Sequence, residues 1–450
     1  MRDLRHTVGE WLLGREDSAS MRNRLMKGVS GLLSLRVAFG AMSFLLTVLL
    51  ARMLGAQAFG TYSYALAWVM LLGAPAVLGL DQLLVREVAA YSVKSRWDLL
   101  RGILRAANGT VLLVSLSLAA IAATVAWVLR GRNPPELVNT FWVGLLLIPL
   151  ISLTRLRQAT LQGLHRVVFG SIPERLILPA LFLATLVVFR VLRVPLTAPA
   201  AMSLNVAATG VAFVVGAWLL HRNLPAPVRQ TAPAYERLLW ARSALPILLF
   251  SGAGIVFAQT DTLILGSLKG SGAVGLYGVA DKSAELLSFV LVAQNAAFAS
   301  TAASLHAQQD LGALQRLTTR IARLTLLMTL PLAILFIGFG PWFLARFYGA
   351  AFLPARPALT ILSIGQLINV ATGLNGMLLI MTRNERALLK AVAASAVANI
   401  GLNLLLVPGW GMSGAAIANT SSIILLNVIA TVSLHRKTAI HSTVLGALRR

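Results

Sequence analysis

Ala107-Asn-Gly-Thr-Val-Leu-Leu-Val-Ser-Leu-Ser-Leu-Ala-Ala-Ile-Ala-Ala-Thr-Val-Ala-Trp-Val-Leu129 runs without a charged residue between Arg105 and Arg130. About 20 apolar residues of α-helix cross the hydrocarbon core of a bilayer, so this stretch reads as a membrane-spanning helix. It is far too long for a barrel strand, which takes about 9 to 11 alternating residues. Lipid offers backbone groups no partner, and a helix satisfies them internally.

Working outward, the same rule marks spans near 28–51, 60–84, 137–159, 171–192 and 198–220 around it. A second set follows near 243–267, 273–302, 321–345, 355–381, 387–407 and 411–434. The fold class is therefore all-α, a polytopic membrane protein of about 12 transmembrane helices. Composition agrees: 57% of the 450 residues are hydrophobic, 12% are charged, and mean hydropathy is +0.78. Prolines within spans (Pro75, Pro149, Pro179, Pro246, Pro331) remove helical hydrogen bonds and favour kinks.

The net charge of +24 suggests nucleic acid only in a soluble protein. Here it follows topology. Of the 39 Lys and Arg residues, 29 fall on the tails and on the loops after even-numbered spans, counting those within about a turn of a span's end, among them Arg155 and Arg157, and Arg175 at a helix start. Eight fall on the opposite side, and two, Arg36 and Lys282, lie inside spans. Basic residues mark the cytoplasmic side, so both termini are expected there, with no nucleic-acid partner. The expected organisation is a basic tail over 1–27, a six-helix lobe over 28–221, a linker over 222–242, a second lobe over 243–434 and a basic C-terminus over 435–450. The linker is rich in Pro and Arg, and the N-terminal tail lacks the apolar core of a cleavable signal.

The two halves share a segment. Leu54-Gly-Ala-Gln-Ala-Phe-Gly-Thr-Tyr-Ser-Tyr-Ala65 and Lys269-Gly-Ser-Gly-Ala-Val-Gly-Leu-Tyr-Gly-Val-Ala280 match in Gly, Ala, Gly, Tyr and Ala at an offset of 215 residues. An offset spanning an even number of helices makes the repeat parallel, with an axis along the membrane normal.

Charges inside spans are costly and face protein or water-filled space. Arg36 shares a helical stripe with Gly40, Ser43 and Thr47, and either lines a cavity or snorkels to the headgroups. Asp281, Lys282 and Glu285 lie about three turns into the eighth span, as a functional cluster or as a self-compensated ion pair. Asp81 and Asp261 are further candidates for proton or cation coupling, with an interfacial structural role the alternative for Asp81. Asn369 and Asn375, with Asn399 and Asn403 one turn apart, either contact sugar hydroxyls or join helices. There is no cysteine, no phosphate loop, no nucleophile elbow and no His-Glu-x-x-His, so no catalytic signature or cofactor motif is present.

Ala51-Arg-Met-Leu-Gly-Ala-Gln-Ala-Phe-Gly-Thr-Tyr62, Gly79-Leu-Asp-Gln-Leu-Leu-Val-Arg-Glu-Val-Ala89, Asp261-Thr-Leu-Ile-Leu-Gly266 with Gly275-Leu-Tyr277, and Pro408-Gly-Trp-Gly-Met-Ser-Gly-Ala-Ala-Ile-Ala418 together resemble the Wzx-type polysaccharide flippases. That family belongs to the multidrug/oligosaccharidyl-lipid/polysaccharide exporter superfamily. The resemblance implies two six-helix lobes in a V, a cationic central cavity to which Arg36 and Lys282 contribute, and a polyprenyl-pyrophosphate oligosaccharide as substrate. It also implies a bacterial inner membrane, alternating access, a monomeric transport unit, and polysaccharide polymerase or export machinery as partners. The basic tail over 1–27 departs from the family pattern. The competing readings are a cation-coupled exporter resting on the acidic residues and, less favoured, a membrane polysaccharide polymerase or ligase. The latter needs a sizeable extracytoplasmic loop, and the loops read here are short.

Overall fold

The structure is a computed structural model that describes residues 15–446, with side chains described from residue 38 onward except at 237, 245–247, 249–251, 296, 297 and 300. Residues 1–14 of the expected basic tail and the last four residues of the chain lie outside the described residues. The described residues form helices and connections, with no strand among them.

Helix α1 (Arg15–Val77) is followed by α2 (Leu80–Val93), α3 (Trp97–Val128), α4 (Pro135–Gly144) and α5 (Leu147–Gly163). Next come α6 (Val167–Ile172), a π-helical turn (Pro173–Ile177), α7 (Leu178–Val191), α8 (Ala198–Asn223) and the short α9 (Ala226–Gln230). The second half runs through α10 (Arg237–Lys269), α11 (Ser271–Ala307), α12 (Leu311–Gly338), α13 (Gly340–Phe347), α14 (Arg356–Thr372), α15 (Asn375–Met381) and α16 (Glu385–Thr438). Eight stretches among the described residues are long and apolar enough to cross a membrane. On α3 the apolar side chains point outward, with Leu113 69% and Ile121 60% exposed, as lipid contact requires.

A loop is expected between the first two spans, and the structure replaces it with one residue. Gly55, at φ 72° and ψ 174°, breaks α1 without a connecting segment. Residues 39–47 before the break and 62–70 after it line one cavity, so the chain doubles back there. Gly411, at φ 52°, does the same within α16: Asn403 and Asn419 on its two arms reach the same carboxylate. A positive φ costs glycine nothing, which lets a hairpin of helices close in a single residue.

The repeat has matching backbones. Gly270, the repeat partner of Gly55, sits at φ 80° and ψ 176° between α10 and α11. Gly60 and Gly275, also partners, face each other where α1 crosses α11. A Cβ on Gly60 would lie 1.7 Å from the Ser271 carbonyl oxygen, and one on Gly275 would lie 2.0 Å from that of Ala56. Two backbones this close leave no room for any side chain, so the shared glycines are a packing requirement.

The connection over 222–242 is docked. Arg101 Nη1 donates to the Thr231 carbonyl at 2.6 Å, and the Ala234 amide donates to the Asp98 carbonyl at 3.0 Å. Trp240 Nε1 donates to Tyr91 Oη at 3.1 Å. These contacts fasten the Pro-rich segment onto α2 and α3.

Candidate functional site: a polar cavity beside the helix crossing

A cavity of about 950 Å³ lies between the two arms of α1, helices α2, α5, α7 and α8, and one face of α11. The small-polar stripe of α1 forms one wall, with Gly40, Ser43 and Thr47 all lining it. Arg36 stands one turn before Gly40, and its side chain lies outside the described residues. Phe44 ties this wall to an aromatic cluster on α12 and α13: its ring centroid is 5.8 Å from Phe347, and Phe343 lies 4.6 Å from Phe336 and 4.9 Å from Phe347.

From α11, Lys282, Glu285 and Ser288 reach the cavity. Lys282 Nζ and Glu285 Oε2 are 2.8 Å apart, both more than half exposed. The expected self-compensating pair is therefore real, and it also lines the cavity. The neighbouring Asp281 is not among the lining residues. Asp81 lies on the wall as well, in the first turn of α2 just past the left-handed Leu78 and Gly79, and it accepts from the Gln82 amide at 2.9 Å.

Two guanidinium groups that the loop count places among the anchoring residues also face this space. Arg155 projects from α5 beside Gln158 and Gln162, a face at steps of three and four. Arg175 and Glu174 come from the π-helical turn. Proline explains that turn: Pro179 has no N–H to give to the Arg175 carbonyl, and a wider turn takes up the difference. Neither Arg155 nor Arg175 makes an ion pair among the described residues. The cavity wall thus carries Arg155, Arg175 and Lys282 against Asp81, Glu174 and Glu285, a mixed set where a cationic one is expected. Sequence spacing held a signal for Arg155, because Arg155, Gln158 and Gln162 share one helical face. Arg157, next to it, turns away and lies 3.5 Å over the Phe213 ring.

Asp261, Asn399 and Asn403 come together elsewhere. Asp261 is 2% exposed and accepts from Asn399 Nδ2 at 3.0 Å, Asn403 Nδ2 at 2.7 Å, Asn419 Nδ2 and Tyr277 Oη at 3.0 Å. Helices α10, α11 and both arms of α16 meet at this carboxylate, which has no cation partner among the described residues. Asn369 and Asn375 join a second amide network centred on Asn427, with contacts of 3.0 and 2.8 Å, and neither lines the cavity. In the first half the repeat partner of Tyr277 is Tyr62, which accepts from Asn205 Nδ2 at 2.9 Å on the cavity wall. Leu46 occupies the position equivalent to Asp261, so the buried carboxylate is peculiar to the second half.

Kinked helix pairs related by a parallel repeat, beside a cavity with charged, polar and apolar walls, define a multi-pass membrane protein with a transporter fold. The chain belongs to the polysaccharide biosynthesis protein family, whose model matches residues 25–302. Among solved structures it is similar to an inward-facing multidrug resistance MATE family transporter of the MOP superfamily, at TM-score 0.71 and 12% identity, covering 90% of this chain and 98% of that one. It is equally similar to the lipid II flippase MurJ in an inward closed conformation, at TM-score 0.71 and 13% identity, covering 89% and 87%. A MOP superfamily transporter from Pyrococcus furiosus, described as having a binding pocket of reverse polarity, follows at TM-score 0.64 and 12% identity, covering 92% and 96%. At these identities the likeness is one of fold. No curated protein sequence matches the chain.

Proposed function

We propose that this protein is a flippase that carries a polyprenyl-pyrophosphate-linked oligosaccharide from the cytoplasmic to the outer leaflet of a bacterial inner membrane by alternating access. The observation that carries the reading is the cavity: about 950 Å³, with amides and hydroxyls set among apolar side chains and with Arg155 and Arg175 in no ion pair among the described residues, in a chain of the polysaccharide biosynthesis family. A pyrophosphate-sugar headgroup crosses hydrocarbon only if something replaces its hydration. Amides and hydroxyls serve the sugar, and the two guanidinium groups serve the phosphates. Few cations suit transport, since many would hold the phosphate too tightly to release it.

In this reading the chain has twelve spans and cytoplasmic termini, and works as a monomeric unit beside polysaccharide polymerase or export machinery. The doubled helices α1 and α16, together with α10 and α11, bring the eight apolar stretches to that number. Cation-coupled export is the second reading, and the burial of Asp261 with no cation partner among the described residues favours it as a coupling device. The two readings combine if Asp261 couples movement to a proton or monovalent cation.

Deletion of the gene tests the substrate. Lipid-linked oligosaccharide is expected to accumulate on the cytoplasmic leaflet, and complementation with Arg155→Gln/Arg175→Gln to restore flipping at about a tenth of the wild-type rate or less, as loss of charge-assisted contacts implies. Deletion with no such accumulation removes the flippase reading.

A further inference from the structure

A second pocket, of about 550 Å³, opens on the face of the molecule opposite the 222–242 connection. Arg52, Arg190 and Arg193 line it with Met53, Phe189 and Leu196. Arg52 lies just before the break at Gly55, and the other two lie at the end of α7. This is the side where basic residues are scarce, and three of its eight converge on this pocket.

No carboxylate lines the pocket, and none of the ion pairs among the described residues involves these arginines. Arg52 is held in place: its Nε donates to the Phe347 carbonyl at 2.6 Å and its Nη2 to the Arg346 carbonyl. Its Nη1 has no hydrogen-bond partner among the described residues. Arg190 and Arg193 are exposed; their backbones bond to each other at 3.3 Å, and their guanidinium groups make no ion pair among the described residues. Arg193 sits at φ 54°, where the chain leaves α7, so that it and Arg190 face the pocket together. Like charges gathered without a counter-ion repel one another, and an anion relieves that repulsion. The other wall is apolar, and it continues onto the outward face of α7, where Val191 and Leu192 are 73% and 66% exposed. Guanidinium forks match phosphate oxygens, and an adjoining apolar surface suits a lipid chain.

We propose that Arg52, Arg190 and Arg193 form a binding site for a phosphate or pyrophosphate group on the face opposite the connection, separate from the central cavity. The site does not rest on the flippase reading; only its assignment to the outer leaflet does. Two sources share the chemistry: the pyrophosphate of a polyprenyl-linked lipid, and the phosphate of an anionic phospholipid in the bilayer.

Purified full-length protein in uncharged detergent is titrated with inorganic pyrophosphate, polyprenyl pyrophosphate, phosphatidylglycerol and, as control, phosphatidylcholine. Each titration is repeated in an Arg155→Gln/Arg175→Gln background, which removes the cavity guanidinium groups, so loss of cavity binding and loss of binding here are read separately. At least one anionic probe is expected to bind in that background, and Arg190→Gln/Arg193→Gln to weaken it about tenfold or more with an unchanged melting temperature. Arg190→Lys/Arg193→Lys, which keeps charge and loses the fork, is expected to fall between. Preference for polyprenyl pyrophosphate assigns the site to the carried lipid, preference for phosphatidylglycerol to the bilayer, and equal binding of inorganic pyrophosphate to the anion alone. Binding of every probe unchanged by the Gln pair overturns the proposal.

Discussion

Asp261 shows how much one residue organises. Four donors from α11 and the two arms of α16 converge on its carboxylate, so removing it strands several buried polar groups at once. Each unpaired buried donor costs about 1–3 kcal/mol, although pairs in membranes average nearer 0.6 kcal/mol. Asp261→Leu is therefore expected to lower stability in detergent by about 3 kcal/mol, measured by thermal unfolding. Asp261→Asn keeps the shape and loses the charge. With it, flipping in vesicles is expected to lose its response to an imposed proton or sodium gradient while the fold persists; a wild-type gradient response would remove Asp261 from coupling. That Asp261 stands out as a charge in a span is legible in the sequence. That Asn399, Asn403 and Asn419 all donate to it is not, because they lie more than 130 residues away.

At the scale of elements, helix breaks decide where the side chains go. Gly60 and Gly275 let α1 and α11 approach until backbone meets backbone. Gly60→Leu is expected to force the crossing apart and cost about 2 kcal/mol, with reduced flipping, read as a lower melting temperature of the purified protein. Gly210, whose Cβ would meet nothing within 4 Å, is the control: Gly210→Leu should leave both nearly unchanged. The glycine repeat was visible from the chain alone, as were the spans. The single-residue hairpin at Gly55 was not, since a run of helix formers with one glycine reads as a loop between two helices. The same holds for the π-helical turn that aims Arg175 and Glu174 at the cavity: Pro179 is visible, but where the displaced turn points depends on what packs around it.

At the scale of the molecule, the α1–α11 crossing joins the two halves beside the cavity, and the alternating access proposed above requires that contact to change. The chain has no cysteine, so introduced pairs report cleanly. Gln57 and Gly272 are repeat partners in contact across the crossing, with Gln57 Oε1 2.7 Å from a Cβ built on Gly272. Oxidation of Gln57→Cys/Gly272→Cys is expected to form a disulfide and stop flipping in vesicles, with recovery on reduction; full flipping in the cross-linked protein would show that the crossing need not open.

Hydrophobic run length, charge sidedness and the 215-residue repeat determined by themselves that this is a polytopic helical membrane protein of two related halves, because lipid solvation and backbone satisfaction act locally on each segment. Which polar groups share a space was decided only by tertiary structure. Arg155 and Arg175 read as cytoplasmic anchors until one face of α5 and a displaced turn carry them to a cavity wall, whereas Asn399 and Asn403, candidates for contact with sugar, spend their amides on Asp261. A side chain's role in a membrane depends on whether it meets lipid, protein or water, and that is set by neighbours distant in the chain.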